Sequence, residues 1–187
     1  VTTPKRKDTI PARLGYRMPA EWESHEATWL TWPKNPITWP DRLPQVEAIY
    51  LKMIEALSQG EYVHLLVDDE TTQEDVARRL LPATRRDRLL LHVLPTIDSW
   101  IRDYGPIFIK RTTEVPPSIA RKVATAETNE PVAYLNWTFN AWGGKYEDLA
   151  QDNSVNERLA ALGLLPPTHF QPTLVLEGGS IEVNGAG

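Results

Sequence analysis

Three short segments of this chain place acidic, polar or small residues where an ordinary core strand would not. The first is Trp100-Ile101-Arg102-Asp103-Tyr104-Gly105-Pro106. Asp103 stands beside an arginine and between two aromatics, and the Gly-Pro pair fixes the backbone after it. A carboxylate partly desolvated among Trp and Tyr binds a cation strongly. The same residues also fit a surface Asp103–Arg102 pair before a turn, and this segment alone leaves both readings open, since charged side chains are seldom buried without a reason. The second segment is Leu174-Val175-Leu176-Glu177-Gly178-Gly179-Ser180. An apolar strand ends in a carboxylate and two glycines, which let the backbone bend or a ligand approach closely. Ligands bind at such strand ends in open α/β architectures. The plainer alternative is a hairpin turn with a solvated Glu177.

The third segment runs from Asn136 to Tyr146 and holds two Trp, a Phe, a Tyr and two Asn. It reads first as a packed aromatic cluster, with Asn140 or Lys145 as possible lining residues of a site. Two carboxylates with aromatic walls suit a guanidinium, which is planar, permanently charged, matches carboxylates bidentately and stacks on rings. A quaternary amine would need the aromatics but not the paired acceptors.

Other chemistries are excluded by residue type. The 187 residues contain no Cys, so this chain holds no disulfide, thiolate metal site or cysteine nucleophile. Phosphate-loop, dinucleotide, zincin and nucleophile-elbow motifs are absent. None of His25, His64, His92 and His169 forms a close pair with metal-ligand spacing. His64 and His92 fall inside apolar strands and read as structural histidines with satisfied partners. No metal or other cofactor is expected. A net charge of −5 supplies no general field for nucleic acid or anionic membrane. No run approaches the roughly 18 apolar residues of a membrane span. Val1 to Arg13 lacks the apolar stretch of a secretory signal, so a cytoplasmic location is expected.

The elements that must position these residues follow from hydrophobic period and punctuation. Ala27 to Trp32 reads as a buried strand closed by Pro33. After a loop carrying Trp39, Asp41 is placed to cap a helix in which Val46, Ile49, Tyr50, Met53, Ile54 and Leu57 recur at helical steps before Gly60. Tyr62 to Val67 reads as a strand, Thr72 to Leu81 as a helix and Leu89 to Leu94 as a further strand. Ile107 to Lys110 and Ala133 to Phe139 read as strands around a surface excursion, Thr112 to Glu130. Asn153 to Leu162 predicts a third helix, and Thr173 to Leu176 and Ser180 to Val183 predict two short strands flanking Gly178-Gly179. Alternating strands and helices place the chain in the α/β or α+β class. Residues 1–17 are expected to form an N-terminal arm, with Val1 to Arg13 a loose arm or a short docking strand.

Four blocks in order then resemble the agmatine deiminase and Porphyromonas-type peptidyl-arginine deiminase family. They are Met18-Pro19-Ala20-Glu21-Trp22-Glu23-Ser24-His25 with the following TWLTWP, then WIRDYGP, FNAWGG and LEGGSIEVNGAG, together spanning Met18 to Gly187. The resemblance implies an α/β pentein fold, a propeller of ββαβ modules, with residues 18–187 as the N-terminal part of one catalytic domain. It implies hydrolysis of a guanidinium to a ureido group plus ammonia through a Cys nucleophile and a His. Carried over by motif, Asp103 is one guanidinium-binding carboxylate, Glu177 the second acidic residue, and Trp100 lies against the apolar part of the substrate. The family's Cys and His-x-Asp motif are expected further along than Gly187. The expected partners are a small guanidinium substrate, the C-terminal remainder of the domain or a complementary chain, and further copies of the chain in a homo-oligomer. Agmatine is the leading substrate, with arginine or peptidyl-arginine as the alternative. The rival class is a guanidinium-binding module without turnover.

Overall fold

The strand Tyr62–Val67, with Val63, Leu65, Leu66 and Val67 all buried, decides how the first half of the chain assembles. Val63, Leu65 and Val67 point to one side and are buried, while half-buried His64 and fully buried Leu66 stand on the other. In the computed structural model, which describes residues 10–112 and 130–185, this strand is the middle of a three-stranded sheet. Its neighbours, β2 (Ala27–Thr31) and β4 (Leu89–Val93), run parallel to β3 (Tyr62–Val67) on either side. Helix α1 (Leu43–Ser58) supplies Leu51 and Ile54, and α2 (Glu70–Arg79) supplies Val76, to a core that also holds Trp32, Val63, Leu65 and Val67. These parts form one compact unit, Ser24–Ile101 with Tyr146–Asp152.

The described parts of Val1–Glu23, Arg102–Lys145 and Asn153–Gly187 form a second compact unit. Its sheet has the order β1-β5-β6-β7, made by Tyr16–Arg17, Ile107–Arg111, Val132–Leu135 and His169–Phe170. β1 and β6 are antiparallel to β5, and β7 is parallel to β6. Leu14, Tyr16, Ile109, Ala133 and Phe170 close its core. Between β4 and β5 lies a single helical turn, α3 (Ile101–Tyr104), and α4 (Val155–Ala161) precedes β7. Tyr16 and Arg17 pair antiparallel with Arg111 and Lys110. Residues 1–9 and nearly all of the excursion expected over Thr112 to Glu130 lie outside the described residues.

Several boundaries differ from the sequence reading for local reasons. Asp41 does not cap α1. It adopts φ 55°, and Pro44 in the first turn sets the start of the helix instead. α2 begins two residues before Thr72 because the Asp69 carboxylate accepts from the Thr72 N–H at 2.7 Å. The third helix starts at Val155, since Glu147–Ser154 is 3-10 wound and the Asn153 side chain instead accepts from the Phe139 N–H at 2.7 Å. The two expected strands around Gly178-Gly179 do not form. Val175 makes an isolated bridge to Thr138, and Gly178–Ser180 is a 3-10 turn. Leu174 and Val175 are 66% and 50% exposed, so the segment before Glu177 is not the buried strand its composition suggested.

Candidate functional site

The acidic part of the candidate site is built by two turns of the second unit that close on each other. Asp103 sits on α3, and its Oδ1 accepts from the Gly179 N–H at 3.0 Å. The neighbouring Arg102 donates from Nε to the Gly178 carbonyl at 3.2 Å and from Nη2 to Glu21 Oε1 at 2.7 Å. Arg102 thus laces the turns together rather than forming the surface pair with Asp103 that the sequence allowed. The two glycines are required by this closure. A Cβ on Gly178 would strike the Arg102 carbonyl oxygen, and one on Gly179 would stand 2.5 Å from Asp103 Oδ1. The close approach anticipated for a ligand is made by the chain itself.

Glu177 immediately precedes this turn, and its carbonyl accepts from the Ser180 N–H at 2.9 Å and the Ser180 hydroxyl at 2.7 Å. The structure therefore brings Asp103 and Glu177 into one electrostatic neighbourhood. Burial pushes the Asp103 carboxyl above its ordinary 3.8. The Gly179 N–H draws it down, the charge of Glu177 raises it, and Arg102 lowers it. Both carboxylates are partly exposed. A cation reaching both would relieve their mutual repulsion while satisfying their acceptor capacity.

Behind α3 lies a polar residue whose role the sequence pattern did not indicate. Asn156 on α4 is 1% exposed, and its amide donates to the Tyr104 carbonyl at 3.1 Å and to Asn136 Oδ1 at 2.9 Å. It pins the end of the α3 turn to the segment after β6. The aromatic segment that follows is a packed cluster. Phe139 makes edge contacts with Tyr104 and Trp142 at 6.0 and 5.2 Å. Asn140 is engaged locally, accepting from the Gly143 N–H at 2.8 Å, and Lys145 is exposed. Ala141, Trp142, Gly143 and Gly144 all have positive φ, between 55° and 78°. Strain of this kind at non-glycine residues persists only where surrounding contacts hold it.

The first unit holds its own aromatic pair. Trp100 stacks on Trp39, with ring centroids 5.9 Å apart and planes 26° from parallel. Asp98, two residues before Trp100, is fully buried. Its Oδ2 accepts from Asn35 Nδ2 at 3.1 Å and from the Thr38 hydroxyl, and its Oδ1 accepts from the Ser99 N–H at 2.7 Å. Asp152, 1% exposed, accepts from the backbone N–H groups of Ile97 and Asp98 at 2.7 and 3.1 Å. Sequence reasoning passed over both aspartates. The available signal was a lone Asp beside Ser and Trp, which resembles an ordinary turn.

Glu23 forks onto Arg17 at 2.5 and 2.8 Å, meets Lys110 at 2.6 Å and accepts from the Ala20 N–H at 2.9 Å. Those donors hold its carboxyl well below the usual range. His64 and His92, separate in sequence, meet on adjacent strands with ring nitrogens 2.9 Å apart, and both stack with Trp29. Each thus has the partner expected of a structural histidine. Among the described residues, no group of three or more His, Asp or Glu could hold a metal ion. No helix among them is long and apolar enough to cross a membrane.

Solved structures and known relatives resemble this chain over most of its length. An agmatine deiminase of Enterococcus faecalis superposes with a TM-score of 0.76 at 27% identity, over 99% of this chain and 46% of that one. A C. jejuni agmatine deiminase with substrate bound gives 0.68 at 26% identity, over 92% and 44%. An agmatine deiminase of Medicago truncatula is 32% identical over 185 residues, 96% of this chain and 45% of the relative. The chain therefore spans about half the length of the relatives it matches. Its architecture is the α/β pentein fold of these deiminases, present over that share. The model of Porphyromonas-type peptidyl-arginine deiminase, a family of hydrolases, matches residues 17–187, and this chain belongs to that family.

Proposed function

We propose that this chain is the substrate-binding part of an agmatine deiminase, with residues 18–187 forming the N-terminal part of its catalytic domain. Asp103 and Glu177 take the guanidinium, and Trp100 lies against the aliphatic part of agmatine. The observation that carries the reading is the meeting of Asp103 with the Glu177 turn, where one carboxylate feels the charge of the other. A guanidinium satisfies such a pair because it spreads its charge over a rigid fork of donors. Neutralising both carboxylates also removes the repulsion that raises Asp103.

The whole reaction adds water across the guanidinium carbon and expels ammonia, leaving N-carbamoylputrescine. Family members use a Cys thiolate to form the covalent adduct. The 187 residues contain neither Cys nor a His-x-Asp segment. Alone, the chain is expected to bind without turnover, because loss of a nucleophile costs several orders of magnitude. Calorimetric titration with agmatine and with putrescine tests the reading. Saturable agmatine binding with far weaker putrescine binding is expected. Equal affinities would show that the guanidinium is not what the carboxylates recognise.

A further inference from the structure

We infer that Asp98 is a positioning residue that sets the Trp39–Trp100 pair, and through it the aromatic wall of the substrate site. The wall's use for agmatine rests on the function proposed above. The stacking itself stands on geometry within one unit. The two Asp98 oxygens divide their work between two backbone segments. Oδ2 takes the Asn35 amide and the Thr38 hydroxyl, on the loop after β2. Oδ1 takes the N–H and hydroxyl of Ser99, at 2.7 and 3.2 Å. The next residue on each segment, Trp39 and Trp100 respectively, is one of the two stacked indoles.

A fully buried carboxylate costs stability unless its acceptor sites are filled. The donors Asn35, Thr38 and Ser99 lie next to, or close before, the two indoles. Asp152 holds the other side, fixing the Ile97 and Asp98 N–H groups. The register of Asp98 is therefore set by one carboxylate, and Asp98 in turn ties the loop to the Trp100 backbone. An Asn at this position cannot reproduce the clamp. Its single carbonyl oxygen can serve one segment, and its NH2 faces the donors of the other.

The test uses the whole chain and the exciton couplet of the stacked indoles in far-ultraviolet circular dichroism. The Trp39→Phe variant defines the share of signal that belongs to the pair. Asp98→Asn and Thr38→Val are expected to lose most of that share with their melting transitions still cooperative, while Thr38→Ser keeps it. Asp98→Asn is also expected to weaken agmatine by roughly tenfold, the effect of misplacing one packed wall. If Asp98→Asn does not fold, Thr38→Val decides alone. A parent-sized couplet in folded Thr38→Val overturns the clamp. A lost couplet with unchanged agmatine affinity overturns the link to the substrate wall. If the parent binds no agmatine, the proposed function falls while the couplet still decides the clamp.

Discussion

Acidification should destabilise the first unit through the His64–His92 pair before most carboxylates titrate. Burial, and then the nearby His92, lower His64 from 6.5 to about 4, and burial lowers His92 as well. The geometry gives the reason. With ring nitrogens 2.9 Å apart, one must donate and the other accept, which two neutral tautomers allow and two imidazolium ions do not. A histidine whose folded pKa is depressed contributes stability that is fully present above its unfolded value. That stability is lost as pH falls from about 6.5 toward about 4. At 1.36 kcal/mol per pK unit the full shift of His64 would amount to about 3 kcal/mol. The ring is partly exposed, so solvent screening reduces this to about 1–2 kcal/mol.

Glu23, Asp69, Asp75 and Asp87 have depressed values, so their contributions are lost only at lower pH. Asp103, raised, works in the opposite direction. Urea unfolding across pH 7.5 to 4.5, read for the parent and a His64→Phe, His92→Phe variant, isolates the pair. Phenylalanine keeps a ring against Trp29. The parent should lose about 1–2 kcal/mol over this window, and the double variant clearly less. Parallel curves would refute the neutral-pair argument.

Four further outcomes follow from the site and the helix caps. Gly179→Ala forces the Asp103 carboxylate to retreat from a contact of 2.5 Å, and agmatine affinity should fall by roughly three- to tenfold in calorimetry. Gly178→Ala meets backbone instead, and should lower the melting temperature more than Gly179→Ala does. Asp69→Ala removes the cap of α2 and should lower the melting temperature without changing agmatine affinity, while Asp69→Asn retains most of the cap. Trp100→Ala should weaken agmatine while leaving the affinity for guanidinium ion itself nearly unchanged, as read by competition.

What the sequence made legible was whatever a local period or a motif encodes. The parallel strands around Tyr62–Val67 followed from unbroken apolar runs, and the first two helices from apolar spacing and glycine or proline stops. Asp103 and Glu177 were found because they interrupt that pattern beside aromatics and glycines. The segment around Glu177 was misread because Thr173 to Leu176 is apolar in composition. Its conformation is set by a turn docking onto Arg102 and Asp103, about 75 residues away in the chain. Asp98, Asp152 and Asn156 were missed for the same reason. Their importance lies in burial and in donors from distant segments, such as Asn35 for Asp98 and Tyr104 for Asn156, and no local pattern carries that information.

The central claim is that a guanidinium rests on Asp103 and Glu177. Carbon-13 NMR of the Asp103 carboxyl, titrated with and without saturating agmatine, tests it most directly. Without ligand the group should titrate above the ordinary 3.8, since burial and Glu177 both raise it. With agmatine bound its pKa should fall, because a cation beside the carboxylate favours the charged form. By the same linkage, agmatine affinity should weaken as pH drops through the unliganded value. A saturated complex in which the Asp103 pKa is unmoved would contradict the account.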